Sequence, residues 1–317
     1  MSRRGVQQES VRWQDRTALV LESFSRPYTK WRGRQPSQFR QNLNQLGPFV
    51  NGRYRRYAAS CRERTRFPID WDGVKKRGAV RVPGVLDQGQ AREYSDVVGR
   101  YLSENPPTES TDLQKLMRIV PCAASLLGEG VTGVFHHPEV ASVLHGFFGC
   151  HFRIQWLDCY RSFPCEQVSH AWRWHYDNVP CETIKVMLCL TDAGEHRGAT
   201  RFMSIDDTCA YYEAGYRGRG KERLESLEGF AKLHGLPHRP FHHEAKAGDV
   251  LIFQNNALHR AVPPLDGYRD VLTYLVLPNP VPWDKQLQAD GYEAIEKKPG
   301  GYPQFPENRC MPDRVAA

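Results

Sequence analysis

Residues 172–190 read Trp172-Arg-Trp-His175-Tyr-Asp177-Asn-Val-Pro-Cys-Glu-Thr183-Ile-Lys185-Val-Met-Leu-Cys-Leu190. The second half of this stretch alternates in a way that predicts a β-strand over 183–190. One side of that strand carries Ile184, Val186, Leu188 and Leu190, and the other carries Lys185, Met187 and Cys189. His175 and Asp177 are separated by one residue, so on an extended segment they point to the same side. Together they can hold one metal ion.

Elsewhere the chain is helical first and strand-rich afterwards. Helical spacing covers 86–102, 113–127 and 138–148, and Gly149 is suited to end the last of these helices. Strand patterns cover 74–83, 152–163, 249–254 and 269–277, and a charged helical insert is expected over 206–234. This order favours an α+β fold whose mainly β core is an antiparallel sandwich or barrel with flanking helices.

A third metal ligand must come from a distant part of the chain, and His259 fits. It follows the 249–254 strand after a short loop. Two imidazoles and one carboxylate form the facial triad of non-haem Fe(II) oxygenases, which leaves positions for a bidentate co-substrate and for O2. An H-x-D pair alone recurs by chance, so the prediction rests on the combination. His234, His238, His242 and His243 lack a carboxylate at strand spacing, and we expect them to be surface or structural residues.

Arg269 is a fourth candidate residue for the site, beside the three candidate metal ligands. It opens the 269–277 strand ten residues after His259, beyond the turn that begins at Pro263. A guanidinium pairs with a carboxylate through two parallel hydrogen bonds, which suits the far end of a bound dicarboxylate. We therefore expect His259 and Arg269 to face one pocket.

These features lie in a stretch of about residues 70–280 that resembles the phytanoyl-CoA dioxygenase-like family of Fe(II)- and 2-oxoglutarate-dependent oxygenases. The similar segments are Gly73-Val-Lys-Lys-Arg-Gly-Ala-Val-Arg-Val-Pro-Gly-Val-Leu-Asp87, Phe147-Phe-Gly149 and Thr191-Asp-Ala-Gly-Glu-His-Arg-Gly-Ala-Thr200-Arg-Phe-Met203. The resemblance implies a double-stranded β-helix, a jelly-roll or cupin-like fold, with helices packed outside. It also implies that His175, Asp177 and His259 bind iron and that Arg269 binds the distal carboxylate of 2-oxoglutarate.

The reaction implied by the resemblance is oxidation of an unactivated C–H bond with release of succinate and CO2. Asp177 occupies the position that related halogenases leave to a halide, which favours hydroxylation or desaturation. The family often shows Pro-Gly-Ser-His after its glycine-rich loop, whereas this chain has Arg201-Phe-Met-Ser-Ile-Asp-Asp207. That segment commonly borders the substrate, so the substrate does not transfer from any family member.

Several residues are candidates for contacting a small or carrier-borne substrate. Lys185 and Arg161 would suit an anionic substrate or the C1 carboxylate of 2-oxoglutarate; the alternative is that both make structural ion pairs. Further candidates for substrate contact are Gln155, Trp172, Trp174 and Arg201. Aromatic residues beside such a triad are as often core as pocket wall.

Positive charge is concentrated at the N-terminal end. The net charge of the 317 residues is +7, and residues 1–66 hold 15 Lys and Arg against 4 Asp and Glu. Arginines interleaved with aromatic residues could contact nucleic acid, an anionic membrane surface or an acidic partner. The alternative is a solvated extension that wraps the body. We expect this extension over 1–66, an oxygenase domain over 67–280 and a tail over 281–317 that packs on the domain.

The composition excludes several classes of protein. No apolar run is long enough for a transmembrane helix, and the N-terminus lacks the apolar stretch of a secretory signal. Nine irregularly spaced cysteines, an odd number, favour neither a disulfide framework nor a zinc site. These features predict a cytoplasmic protein.

Two other functions remain open at this point. One is a cupin-like metal enzyme that does not use 2-oxoglutarate. The other is a non-catalytic module that keeps the barrel and binds nucleic acid or membrane through the basic segment.

Overall fold

The computed structural model describes residues 48–107, 116–166, 168, 170–177, 183–218 and 220–296. Predictions for residues 1–47 of the basic extension and 297–317 of the tail lie outside the described residues. Within the described ranges, no helix is long and apolar enough to cross a membrane. No disulfide links the seven cysteines that these ranges contain.

Two antiparallel sheets form the core. The strands are β1 (Ala79–Val82), β2 (Met117–Val120), β3 (His151–Ser162), β4 (Ile184–Cys189), β5 (Arg201–Phe202), β6 (Val250–Gln254), β7 (His259–Arg260) and β8 (Arg269–Asn279). In the described part of the chain, the large sheet has the order β1-β6-β4-β8-β3-β2, and β5 pairs with β7 in a small sheet. All of these strand pairs are antiparallel.

The small sheet packs against the inner face of the large one. Phe202 of β5 lies with its ring 5.0 Å from that of Phe253 of β6. Met187 and Cys189 of β4 belong to the same buried cluster. The opposite face of β4 packs under the helices, as the alternation of residues 183–190 predicts. The arrangement confirms the predicted α+β fold with a double-stranded β-helix core.

Helices cover the outside of the large sheet and fill the connections. They are α1 (Pro48–Thr65), α2 (Val74–Arg77), α3 (Gln88–Glu104), α4 (Ala123–Leu127), α5 (Pro138–Phe148), α6 (Ile205–Glu213), α7 (Glu228–His234) and α8 (Trp283–Asp290). Asp87 begins α3 by accepting hydrogen bonds from the backbone N–H groups of Gly89 and Gln90, as an N-cap carboxylate does. Gly149 ends α5 at φ +68°, as predicted.

The predicted strand over 74–83 is half correct. Residues Val74–Arg77 form the short helix α2, and the strand begins only at Ala79. The Asp70 carboxylate accepts from the N–H groups of Asp72 and Gly73, which turns the chain into this helix. Gly78, at φ +88°, then redirects the chain into β1.

The predicted helix over 113–127 is wrong for its middle part. Residues Met117–Val120 form β2, which pairs with Cys159–Ser162 of β3, and only Ala123–Leu127 are helical. Pro121 lacks an N–H and its ring clashes with a preceding helical turn, so one helix cannot run through this point. Residues 113–115 lie outside the described part.

The insert between β5 and β6 is hydrogen-bonded to the segment that carries His175. The Tyr216 hydroxyl donates to the Trp174 carbonyl at 2.7 Å and accepts from the Leu224 N–H at 3.0 Å. The Trp174 N–H in turn donates to the Leu224 carbonyl at 2.8 Å. Trp174, Tyr176 and Tyr216 are buried together with Tyr211 of α6. The insert therefore supports one side of the site.

The described start of the tail also packs on the domain. The Leu157 N–H of β3 donates to the Ile295 carbonyl at 2.8 Å. Glu296 is 4% exposed, and its carboxylate accepts from the Ser125 N–H of α4 at 2.6 Å. A buried carboxylate is stable only when it is hydrogen-bonded in this way.

We expect Glu296→Ala to destabilise the protein. The substitution removes the acceptor of the part-buried Ser125 N–H, and loss of such a hydrogen bond costs about 1 kcal/mol. Thermal or urea unfolding measures the change, and Glu213→Ala at an exposed position of α6 is the control. Equal stability of the two variants would show that the tail contributes nothing through this contact.

Candidate metal centre

Main-chain hydrogen bonds bring the two histidines together. The His175 N–H donates to the His259 carbonyl at 2.9 Å, and the His259 N–H donates back to the His175 carbonyl at 3.1 Å. Residues paired in this way lie side by side with their side chains on one face. The ring centroids are accordingly 4.4 Å apart, and both side chains are about 95% buried.

The same rings present matching nitrogen atoms. His175 Nδ1 lies 2.8 Å from the Arg173 carbonyl, and His259 Nδ1 lies 2.8 Å from the Ala257 carbonyl. A carbonyl only accepts, so each Nδ1 carries the proton and each Nε2 keeps a lone pair. This is the usual way in which an outer hydrogen bond sets the tautomer of a metal-binding histidine.

Asp177 supplies the third ligand atom. Its Oδ1 lies 3.3 Å from His175 Nε2 and 3.8 Å from His259 Nε2. The three ligand atoms all lie within 4.8 Å of one another. The structure therefore brings together the three side chains that the sequence analysis selects, and two imidazoles with one carboxylate fit an Fe(II) ion.

The electrostatics of the triad favour metal binding. Burial, reinforced by the neighbouring His175, lowers the pKa of His259 to about 3. Burial alone would raise the pKa of Asp177, but Lys185 and the imidazoles outweigh it and hold that pKa well below its ordinary value. The site thus offers a neutral imidazole and an ionised carboxylate at neutral pH, the forms that bind metal.

Arg269 is buried with unused hydrogen-bond donors. It is 1% exposed, and its Nη1 donates to the Gly198 carbonyl. Its Nε and Nη2 have no hydrogen-bond partner among the described residues. An unpaired buried guanidinium is costly, so these two donors mark a place for an anion.

Two buried hydroxyl residues that sequence reasoning missed are further candidates for the surroundings of Arg269. Ser162 of β3 is directly opposite Arg269 in the β3–β8 ladder. Thr200 comes two residues after Gly198 and two residues before the inward-facing Phe202. Both hydroxyls are buried without a described hydrogen-bond partner. Register across strands reveals Ser162, and the sequence alone does not contain that register. Thr200 is a candidate through its closeness in the chain to Gly198, which binds Arg269.

The two candidate cations have different surroundings. Lys185 reaches the centre, with its Nζ 2.5 Å from Asp177 Oδ2. Arg161 instead lies on the opposite face of the large sheet and binds both oxygens of Asp270 at 2.6 and 2.7 Å. Its guanidinium also stacks 3.7 Å from the ring of Tyr268. Both cations therefore make ion pairs, as the alternative predicts, but only the pair of Lys185 includes a residue of the triad.

The remaining substrate candidates are spread over several clusters. Gln155 is buried at the irregularity where β3 shifts register against β8. Trp172 packs with Leu116 and Val168, whereas Trp174 packs with the insert. Arg201 lies opposite Arg260, and since Phe202 lies opposite His259, alternation directs Arg201 away from the triad. The structure does not bring these four side chains together.

Three solved structures are among those to which the chain is similar. The epimerase SnoN from nogalamycin biosynthesis, in complex with Fe3+, alpha ketoglutarate and nogalamycin RO, is 17% identical; the match covers 79% of this chain and 96% of that chain, at a TM-score of 0.47. The carbocyclase SnoK from the same biosynthesis is 16% identical; the match covers 76% of this chain and 96% of that chain, at a TM-score of 0.47. HygX from Streptomyces hygroscopicus, with nickel and 2-oxoglutarate bound, is 13% identical; the match covers 73% of this chain and 93% of that chain, at a TM-score of 0.44. Identities this low do not transfer a substrate.

Sequence comparison gives the family. No curated protein matches the chain significantly. The profile of the phytanoyl-CoA dioxygenase (PhyH) family matches residues 74–264, a stretch that contains all three residues of the triad. Because this match spans more than half of the 317 residues, the chain belongs to the phytanoyl-CoA dioxygenase family.

Proposed function

We propose that the chain is an Fe(II)- and 2-oxoglutarate-dependent dioxygenase that hydroxylates or desaturates an unactivated C–H bond. Its substrate is a small or carrier-borne organic molecule. The observation that carries the proposal is the convergence of His175, Asp177 and His259 within 4.8 Å. Membership of the phytanoyl-CoA dioxygenase family supports the same reaction class.

The triad residues would hold the ion on one side only. Three protein ligands of this type leave the opposite positions of an octahedral Fe(II) ion for 2-oxoglutarate and O2. When bound, the iron and the keto acid supply the oxidising chemistry, and succinate and CO2 are released. The chain contributes ligand tautomers fixed by the Arg173 and Ala257 carbonyls and a buried setting that limits access of water.

The far end of 2-oxoglutarate would lie at Arg269. Its free Nε and Nη2 offer two donors to a carboxylate, and the hydroxyls of Ser162 and Thr200 can add further hydrogen bonds. The Gly198 carbonyl holds the third nitrogen of the guanidinium. The second carboxylate of a dicarboxylate would give hydrogen-bond partners to these buried groups. A monocarboxylate bound at the metal would leave them without partners.

We expect Thr200→Val to weaken binding of 2-oxoglutarate selectively. The change keeps the side-chain shape but removes a hydrogen bond to a charged group, so KM for 2-oxoglutarate should rise roughly tenfold or more. The kcat at saturating 2-oxoglutarate should change little. Thr200→Ser, which retains the hydroxyl, is the control. An unchanged KM in Thr200→Val would remove this hydroxyl from the proposed pocket.

The reaction class is tested by incubating the protein with Fe(II), O2 and 2-oxoglutarate and measuring succinate. We expect succinate formation to require Fe(II) and to be faster when the correct substrate is added to the incubation. Metal binding without any thermal shift on adding 2-oxoglutarate would favour the cupin-like alternative.

Binding to nucleic acid or anionic vesicles that survives His175→Ala would support a separate role of the basic segment, of which residues 1–47 lie outside the described part.

A further inference from the structure

Lys185 is an unusual neighbour for a metal ligand. It lies on the inner face of the large sheet, between Phe253 of β6 and Leu275 of β8. Its Nζ is 5.9 Å from the centroid of the Phe253 ring. Transfer of an ammonium group to such a setting is unfavourable unless the charge is paired. The pairing group is Asp177, at 2.5 Å.

The two oxygens of Asp177 have different partners. Oδ2 accepts the hydrogen bond from Lys185. Oδ1 faces the metal-binding nitrogens of His175 and His259, at 3.3 and 3.8 Å. A hydrogen bond to the second oxygen occupies one of its lone pairs and fixes the rotation of the carboxylate, which disfavours coordination through both oxygens. A free carboxylate, by contrast, can bind an ion through either one or two oxygens.

We propose that Lys185 is a positioning residue that restricts Asp177 to one-oxygen coordination. This keeps three adjacent positions of the ion open, two for the keto acid and one for O2. The inference rests on the proposed function for the identity of those occupants. The division of the Asp177 oxygens itself requires only that a divalent ion binds at the triad.

The sign of the expected effect follows from charge. Partners of metal ligands are commonly acceptors, and their removal weakens metal binding by roughly 10–100-fold. Lys185 is instead a cation that repels the ion and occupies one oxygen of its ligand. Its removal should therefore strengthen binding of a divalent ion, by roughly tenfold or more. It should also weaken binding of 2-oxoglutarate, because the second Asp177 oxygen then takes one of its positions.

Co(II) is a suitable probe because its ligand-field absorption reports coordination number. Full-length protein and the variants Lys185→Met and Lys185→Arg are titrated with Co(II) alone, and 2-oxoglutarate is added afterwards. We expect Lys185→Met to bind Co(II) more tightly, with an altered absorption spectrum, and to bind 2-oxoglutarate more weakly. Lys185→Arg, which keeps a positive donor, should restore the wild-type spectrum. If Lys185→Met does not fold, Lys185→Leu, which also lacks a donor, serves in the same titration.

Lys246→Met is the matched control. It removes a lysine from another ion pair, Lys246–Asp192 at 3.0 Å, on the surface and away from the triad. Equal Co(II) affinity and spectrum in Lys185→Met and wild type would overturn the inference, even if 2-oxoglutarate bound more weakly, since Lys185 would then contact the anion directly. If wild type binds Co(II) but never 2-oxoglutarate, the proposed function fails, while the Co(II) difference still supports the role of Lys185.

Discussion

Replacement of His259 by alanine is expected to abolish turnover of 2-oxoglutarate. The His259 ring is held by the Ala257 carbonyl, and its low pKa keeps it neutral, so a lone pair is always directed at the ion. Loss of a direct ligand should cost more than the roughly 10–100-fold that outer partners of a metal site contribute. We expect Fe(II)-dependent succinate formation to fall to background and metal affinity to fall with it.

The control for this prediction is His242→Ala. His242 pairs with Glu244 at 2.8 Å outside the triad and belongs to the group of histidines that the sequence analysis sets aside. It should leave metal binding and turnover unchanged. Because the paired main-chain hydrogen bonds of residues 175 and 259 do not involve side chains, His259→Ala should remain folded. Retained activity in a folded His259→Ala protein would refute the metal centre.

The second large effect is expected when Arg269 is replaced, and replacement of Arg161 is the matched comparison. Arg269→Met should raise KM for 2-oxoglutarate by roughly 100-fold or more, since a buried bidentate partner of a carboxylate is lost. Arg161→Met, on the opposite face of the same sheet, should leave that KM unchanged. It should lower stability instead, by about 3–5 kcal/mol, because the fully buried Asp270 carboxylate loses its charged partner.

Titration of 2-oxoglutarate into each variant, followed by urea unfolding, separates the two arginines. The expected result is a weak-binding but stable Arg269→Met protein and a normal-binding but unstable Arg161→Met protein. The reverse pattern would exchange the roles assigned to these residues. Equal KM values in Arg269→Met and wild type would count against the dicarboxylate pocket.

Local patterns predicted the three side chains that meet in the candidate metal centre. His175 and Asp177 are separated by one residue, and His259 follows a clear strand after a short loop. The alternation of 183–190 also placed Lys185 on the inner face, where it meets Asp177. These assignments need strand periodicity but no knowledge of which strands pair.

Several of the errors share one physical cause, which is pairing between distant parts of the chain. The position of Arg161 near the end of a strand predicts a residue close to the site, but its face is set by alignment with Asp270 on β8. Met117–Val120 resembles a helix in isolation and becomes a strand because the edge of β3 is available. Ser162 was overlooked because only the register places it opposite Arg269.

The mutual hydrogen bonds between residues 175 and 259 carry an evolutionary consequence. They use main-chain atoms only, so any residue type except proline at either position could preserve the spacing. The spacing of the two imidazoles is therefore set by the backbone, and substitutions elsewhere around the triad need not change it. A scaffold of this kind lets new substrates be explored at little risk to the oxidative chemistry.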